Sequence, residues 1–265
     1  MKVIISPAKK MVVNLDDFDV LGLPMYLDQA TEILAALRQL SYDQLKQLWH
    51  ASEKLTQASY DQLQQIDLHQ RLTPAILSFS GIQYQYMAPD LLSKDGLDYL
   101  QGHLRILSGL YGILQPFDGV VPYRFDMDSR LAIGTANNMY QYWGDRIYRA
   151  LADDGPIINL ASQEYSKTIT KFLKPDDQFI GITFGHLVDG QIKTRATFAK
   201  MARGKMVRFM AEHHVTEVAE LTQFDSPNYQ FDEASSTDTN LVFLRQSAVD
   251  NKLIVCNKNR LGSRI

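Results

Sequence analysis

HLRILSGLYGILQPFD, residues 103–118, is the stretch whose reading decides the fold. Gly109 and Gly112 stand three apart between apolar runs, and Leu97, Leu100, Leu104 and Leu107 repeat upstream at helical spacing. That spacing predicts a helix over 95–107, with SGLYG as a tight bend into a second helical segment. Glycine has no Cβ, so such a bend can take positive φ and let another backbone come close. Two readings of it stay open. It packs two helices together, or its free N–H groups hold a phosphate oxygen at the next helix start. Arg105 before the bend and Arg124 in PYRFD after it would add charge to the second reading.

Working outward, MKVIISP reads as a short buried strand ended by Pro7, and residues 25–40 as an amphipathic helix. SYDQLKQL at 41–48 and SYDQLQQI at 59–66 each carry Ser followed three positions later by Gln, a capping-box pattern, and predict two helix starts. AILSFSG (75–81) and GPIINLAS (155–162) read as strands, and 139–151 as a helix. Residues 178–198 alternate around Asp189-Gly190, a hairpin signal. Residues 198–214 read as a helix, then NLVFL (240–244) and KLIVC (252–256) as strands. The expected class is α/β: a single domain with a mixed sheet and surrounding helices, the 25–70 helices forming a lobe.

The composition is that of an ordinary globular chain, 45% apolar and 22% charged over 265 residues, long enough for a sizeable core. No apolar run approaches the ~20 residues of a membrane span, and the N-terminal apolar run is too short for a secretory signal. The single cysteine, Cys256, cannot form an internal disulfide, which suits a reducing compartment. These features predict a soluble, cytoplasmic protein without a membrane partner. A formal net charge of -3 excludes a generally basic nucleic-acid coat, so polyanion binding needs a local patch. One exists in sequence. Residues 191–211 hold Lys193, Arg195, Lys200, Arg203, Lys205 and Arg208 with no acid, whereas 212–240 hold seven acids and no Lys or Arg. The two segments either neutralise each other or leave a strong local field.

Catalytic motifs are sparse. Gly204-Lys205 lacks the upstream glycine of a P-loop, because Ala199 stands there, and no G-x-S-x-G occurs. His213 and His214 are adjacent, so on a helix they point about 100° apart and suit no shared metal. Ser6-Pro7-Ala8-Lys9 matches S-x-x-K, yet the S-D-N and K-T-G partners are missing. Lys9 reads better as an anion contact at a strand end. Ser162, Tyr165, Ser166, Lys167 and Lys171 follow the strand PIINL, at the sheet edge where α/β proteins bind ligands. No metal, cofactor or catalytic set follows from these patterns. Glu164 and Asp145 are the nearest acid–base candidates.

Several blocks occur together and in order: ISPAK (5–9), LRILSGLYGILQPFD (104–118), PYRFDM (122–127), YQYWGD (140–145), INLASQEYSK (158–167), FAKMARGKMVRF (198–209) and FDEASS (231–236). Together they resemble the bacterial YaaA peroxide-stress protein family over residues 1–245, leaving 246–265 as an extension of unassigned role. The resemblance implies a cytosolic protein that limits damage from unincorporated iron under hydrogen-peroxide stress. It also implies a helix-hairpin-helix element and DNA bound in a positive cleft. Carried onto this chain, the hairpin is Gly109 to Gly112, and the cleft candidates are Lys9, Arg124, Lys167, Lys200, Arg203, Lys205 and Arg208. Gln115 and Asp128 depart from the family pattern.

Two function classes follow. The first is a DNA-binding stress protein, largely indifferent to sequence, gripping phosphates through Lys9, Arg105, Arg124, Lys167, Lys171 and the 200–208 cations. The second is an enzyme acting on a nucleotide or other phosphorylated substrate in the same cleft, with Lys9 or Lys167 as base or nucleophile. No protein partner is implied.

Overall fold

In a computed structural model, which describes residues 1–15, 18–151, 155–226 and 228–245, the 103–118 stretch is a β-hairpin. A helix ends at His103, a strand occupies Leu104–Ser108, and the chain turns through 109–111 into a second strand, Gly112–Leu114. The expected helix-hairpin-helix is therefore corrected at this place. The leucine spacing continues past the true helix end because the strand is buried on both faces, with Leu104, Ile106, Leu107 and Ser108 all 0% exposed. A short, mainly apolar stretch of that kind fits a buried strand as well as a helix.

In chain order the elements are β1 (Lys2–Ile5), α1 (Leu27–Arg38), α2 (Tyr42–Trp49), α3 (Glu53–Gln65), β2 (Thr73–Pro74), α4 (Ala75–Ser78), α5 (Ile82–Met87) and α6 (Lys94–His103). Next come β3 (Leu104–Ser108), β4 (Gly112–Leu114), β5 (Gly119–Val120), α7 (Met139–Trp143), α8 (Arg146–Arg149), β6 (Ile157–Asn159) and α9 (Gln163–Thr170). The chain continues with β7 (Phe179–Val188), β8 (Gln191–Lys193), α10 (Ala196–His213), β9 (Tyr229–Phe231) and β10 (Asn240–Arg245). The strand expected at 252–256, Cys256, and the whole 246–265 extension lie outside the described residues.

Among the described residues, one eight-stranded mixed sheet runs β4-β3-β1-β6-β7-β10-β9, with β8 paired to β7. Its centre, β3-β1-β6-β7-β10, is parallel throughout, and the flanking strands β4, β9 and β8 are antiparallel. Counted along the chain, the five parallel strands lie in the order 2-1-3-4-5 of a doubly wound sheet, which reverses direction between β1 and β6. The expected α/β class with a mixed sheet holds.

Other expectations shift for local reasons. Ser41 forms the capping box with Gln44 and starts α2. The echo at 59–66 starts nothing, because α3 already begins after Ser52 and its Ser59 is buried inside the helix. A helix–turn–helix connection does occur here, α2 passing to α3 through left-handed His50. AILSFSG folds as the short α4 rather than a strand, tied by the Ala75 and Ile76 N–H groups to the carbonyls of Asp118 and Pro116. The 139–151 helix breaks at Gly144, whose φ is 52°.

The SGLYG turn is a packing device. A Cβ on Gly109 would stand 2.8 Å from the Asp126 carbonyl carbon, and one on Gly112, at φ +71°, 2.7 Å from the Trp143 ring. Trp143 Nε1 donates to the Gly109 carbonyl at 3.0 Å, and Leu110 and Tyr111 are fully enclosed.

Candidate functional site

The order reversal opens a crevice beyond the carboxyl ends of β1 and β6, where doubly wound sheets bind ligands. β1 delivers Ser6 to Lys9 there, and β6 delivers Ser162 to Tyr165 at the start of α9. The two loops are stapled together: Ser6 Oγ accepts the Ser162 N–H at 2.8 Å and lies 3.2 Å from Ser162 Oγ. Tyr84 donates its hydroxyl to the Ser6 carbonyl at 3.0 Å. Ser6 is thus engaged by Ser162 rather than by Lys9, so the S-x-x-K pattern forms no nucleophile–lysine pair. Ser162 takes the N-cap position, but its side chain makes no cap hydrogen bond.

Lys9 Nζ instead meets Asp126 Oδ2 at 2.8 Å, with the lysine side chain 69% exposed. An ion pair so open contributes at most about 1 kcal/mol. Asp126 is placed by the SGLYG turn, since its backbone packs directly on Gly109. Behind the pair, Glu164 accepts the Met127 N–H and feels Asp128 and Asp126. Burial first, then those two carboxylates, push its pKa upward against the pull of Lys9. Its Oε1 is buried without a partner. Burial keeps the Tyr84, Tyr123 and Tyr165 hydroxyls protonated well above the ordinary phenol range. Tyr123 is further held by Ser108 Oγ at 2.6 Å. In front lies an open cleft of about 1110 Å³ between the α1–α2 lobe and the 126–132 loop, lined by Lys9, Gln39, Gln47, Trp49, Asp128 and Arg130 among others.

Topology sorts the remaining candidate cations by height on the sheet. Helix α9 starts at the carboxyl edge, so Lys167 stands one turn in, whereas Lys171 lies about 6 Å further along at the far end. Lys171 Nζ rests over the Phe172 ring. Helix α10 also starts at that edge, and its far end meets α6 just before β3 begins, where Tyr99 donates to the Val215 carbonyl and contacts the His214 ring. Lys200 and Arg203 therefore stand in the near half. Arg208 lies lower and pairs with Glu212, while Lys205 reaches Ser226 Oγ at 3.5 Å and the Tyr86 ring.

Arg203 is tied to the crevice by two close approaches. A Cβ on the next residue, Gly204, would stand 2.1 Å from the Gln83 carbonyl of α5, and one on Gly81, just before α5, would stand 3.0 Å from Ala8 Cβ. Burial pulls the Arg203 guanidinium below its usual pKa, and its buried Nε has no acceptor. Among the described residues, Lys167, Lys200 and Arg203 have no carboxylate within ion-pair distance. Of the basic 191–211 segment, only Arg208 pairs with the acidic one that follows it. The charges at the crevice side therefore stay largely unneutralised.

The structure does not bring Arg105, Gly109, Gly112 or Asp145 to this edge as exposed groups. Arg105 donates to the Gln101 and Leu104 carbonyls, and its charge acts on Asp118. The two hairpin glycines are enclosed, and Asp145 pairs with Arg149 on α8. Arg124 sits beside Lys9, its Nε buried without a partner. Among the described residues no group of three or more His, Cys, Asp or Glu side chains is placed to hold a metal ion, and no helix is long and apolar enough to cross a membrane.

A family model for "Peroxide stress protein YaaA" matches residues 1–235. The chain belongs to this family. Curated relatives bearing the name "UPF0246 protein" include one from Lactiplantibacillus plantarum, 57% identical over 247 residues, which are 93% of this chain and 100% of the relative. Another, from Lacticaseibacillus paracasei, is 58% identical over 245 residues, 92% of this chain and 99% of the relative. One from Agathobacter rectalis is 45% identical over 249 residues, 94% and 100% respectively. Membership in the YaaA family supports a peroxide-stress role.

Sequence reasoning singled out Tyr165 but missed the part played by Asp126 at this YaaA-family crevice, and the Tyr84 and Tyr123 hydroxyls grouped with Tyr165 behind it. Asp126 and Asp128 are two apart in PYRFDMDSR, but nothing local showed that a hairpin turn would press this loop against Lys9.

Proposed function

We propose that this YaaA-family protein binds DNA along the carboxyl edge of its sheet, acting in the cytoplasm during peroxide stress. Lys9, Lys167, Lys200 and Arg203 contact phosphates, with Arg124 behind Lys9, and covering DNA is how the protein helps limit damage from unincorporated iron. One observation carries the reading: the packing of Gly204 on α5, and of Gly81 on Ala8, joins the uncompensated Arg203 to the same edge as Lys9. A half-buried guanidinium without a counter-charge is stabilised by an incoming anion. Four neutralised phosphates give a log–log salt slope of about -3.6. Fluorescence anisotropy with a labelled duplex at several salt concentrations tests this. K167A/K200A, both exposed, should flatten the slope by about 1.8; a wild-type affinity indifferent to salt refutes the reading.

A second reading, catalysis on a nucleotide or other phosphorylated substrate, is favoured by the unpartnered Glu164 Oε1 close to Lys9. It predicts that nucleotides raise the melting temperature and that E164Q abolishes any turnover while that shift persists. Absence of both effects across a nucleotide panel dismisses it.

A further inference from the structure

Strand β7 is longer than its neighbours. Its pairing with β6 ends at Gly181 and that with β10 at Gly185, so residues 186–188 are carried by β8 alone. Because β7 runs parallel to β1 and β6, this two-stranded ribbon projects from the same edge as the Lys9 crevice. With its Asp189-Gly190 turn it reaches roughly 10–15 Å outward at about 3.4 Å per residue. Register gives it two unlike faces. Leu187 lies directly opposite Ile192, and His186 opposite Lys193. Paired residues share a face, so Leu187 and Ile192 form an apolar face, and they are 60% and 37% exposed. Ile192 also covers Gly185, where a Cβ would stand 2.4 Å from Ile192 Cγ2.

The surroundings of that apolar tip are basic. Lys193, Arg195 and Lys200 are exposed, and among the described residues none has a carboxylate within ion-pair distance. Asp189 is the only acid between 186 and 200. One small apolar pair buries too little area to hold a membrane surface, and a self-associating tip would bring like charges face to face. A two-stranded ribbon fits the major groove of a duplex, where apolar side chains contact the thymine methyl groups.

We propose that the β7–β8 ribbon is a DNA-groove arm: Leu187 and Ile192 enter the groove while Lys193 and Arg195 grip the flanking phosphates. This rests on the DNA-binding reading above and adds the element that enters the duplex. The test compares wild type, L187S/I192S and K193A/R195A on a labelled 20-bp duplex, with thermal melting and sedimentation run alongside. L187S/I192S should weaken binding about five- to thirtyfold with the salt slope unchanged, since only apolar contacts are lost. With the arm's two phosphate contacts added to the four at the edge, the wild-type slope becomes about -5.4, and K193A/R195A should flatten it by about 1.8. If both variants melt like wild type and bind the duplex as wild type does, the arm is not a DNA element, while the edge reading stands. A change in sedimentation without a change in affinity would make it a self-association surface and overturn the proposal. Failure of wild type to bind any duplex instead removes the edge reading itself.

Discussion

Gly109→Ala separates a packing role for the SGLYG turn from a phosphate-cradle role. Alanine is compatible with the backbone at 109, since only Gly112 of the two takes positive φ. The obstacle is steric. The added methyl would stand 2.8 Å from the Asp126 carbonyl carbon and 2.9 Å from the Asp126 and Phe125 carbonyl oxygens, backbone atoms that no side-chain rotation can move. Forcing a methyl into a packed interior costs about 1–3 kcal/mol. In a domain of this size that lowers the melting temperature by about 2–12 °C. The clash also pushes Asp126 outward and breaks its contact with Lys9. Thermal and urea unfolding, with duplex affinity measured in parallel, give the readout. The packing account expects a clear loss of stability with DNA affinity reduced little or even raised. A variant as stable as wild type that has lost DNA affinity would refute it and restore the turn as a backbone cradle.

Asp126→Asn leaves Lys9 without its internal partner and should raise duplex affinity at low salt by up to about fivefold, the worth of an exposed ion pair; unchanged affinity means that Lys9 meets no phosphate. Asp118 is 6% exposed, and burial pushes its pKa up to about 6 although the Gln115 N–H and Arg105 pull the other way. Its contribution is therefore full below the unfolded value of 3.8 and lost as pH rises through about 6, a swing of ~3 kcal/mol. D118N should remove that slope from urea-unfolding stability between pH 4 and 6.5, and a parallel slope in the variant contradicts the burial account.

The parts of the fold legible in sequence are those where local pattern and tertiary role agree. β1 opens with a β-branched run stopped by Pro7, Ser41 caps α2 with Gln44, and Asp189-Gly190 turns β7 into β8. Two of the failures share one cause. Residues 104–108 and AILSFSG are short and mainly apolar, so period does not decide between helix and strand, and the choice belongs to neighbours. Leu104–Ser108 becomes a strand because β1 and β4 complete its hydrogen bonds on both sides. Residues 75–78 become a helix because the nearby carbonyls of Asp118 and Pro116 take the N–H groups of Ala75 and Ile76 at its start. The candidate site divides in the same way. Lys9, Lys167 and Lys200 could be assigned to this edge from sequence because each lies near a strand end or helix start visible there. Asp126 acts in the crevice only through the turn that Gly109 allows, a contact across 17 positions.

The carboxylates around Lys9 bear on which anions this edge can hold. Asp126 already occupies the lysine, and Asp128 and Glu164 add negative potential behind it. A single free phosphate must displace Asp126 against that potential for one new contact, and the exchange is close to neutral. On the proposed DNA-binding reading, a polyphosphate strand would first engage Lys167, Lys200 and Arg203, none with a carboxylate partner among the described residues. Each phosphate neutralised there releases condensed counterions, a gain that accumulates along the strand. Capture of Lys9 is then intramolecular, and the carboxylates become a filter that admits a polyanion where a lone phosphate fails. Inorganic phosphate at the same charge concentration should therefore compete poorly with duplex DNA against wild type. Against D126N it should compete markedly better, as a competition anisotropy titration would register. Equal competition against both proteins would mean that Asp126 filters nothing.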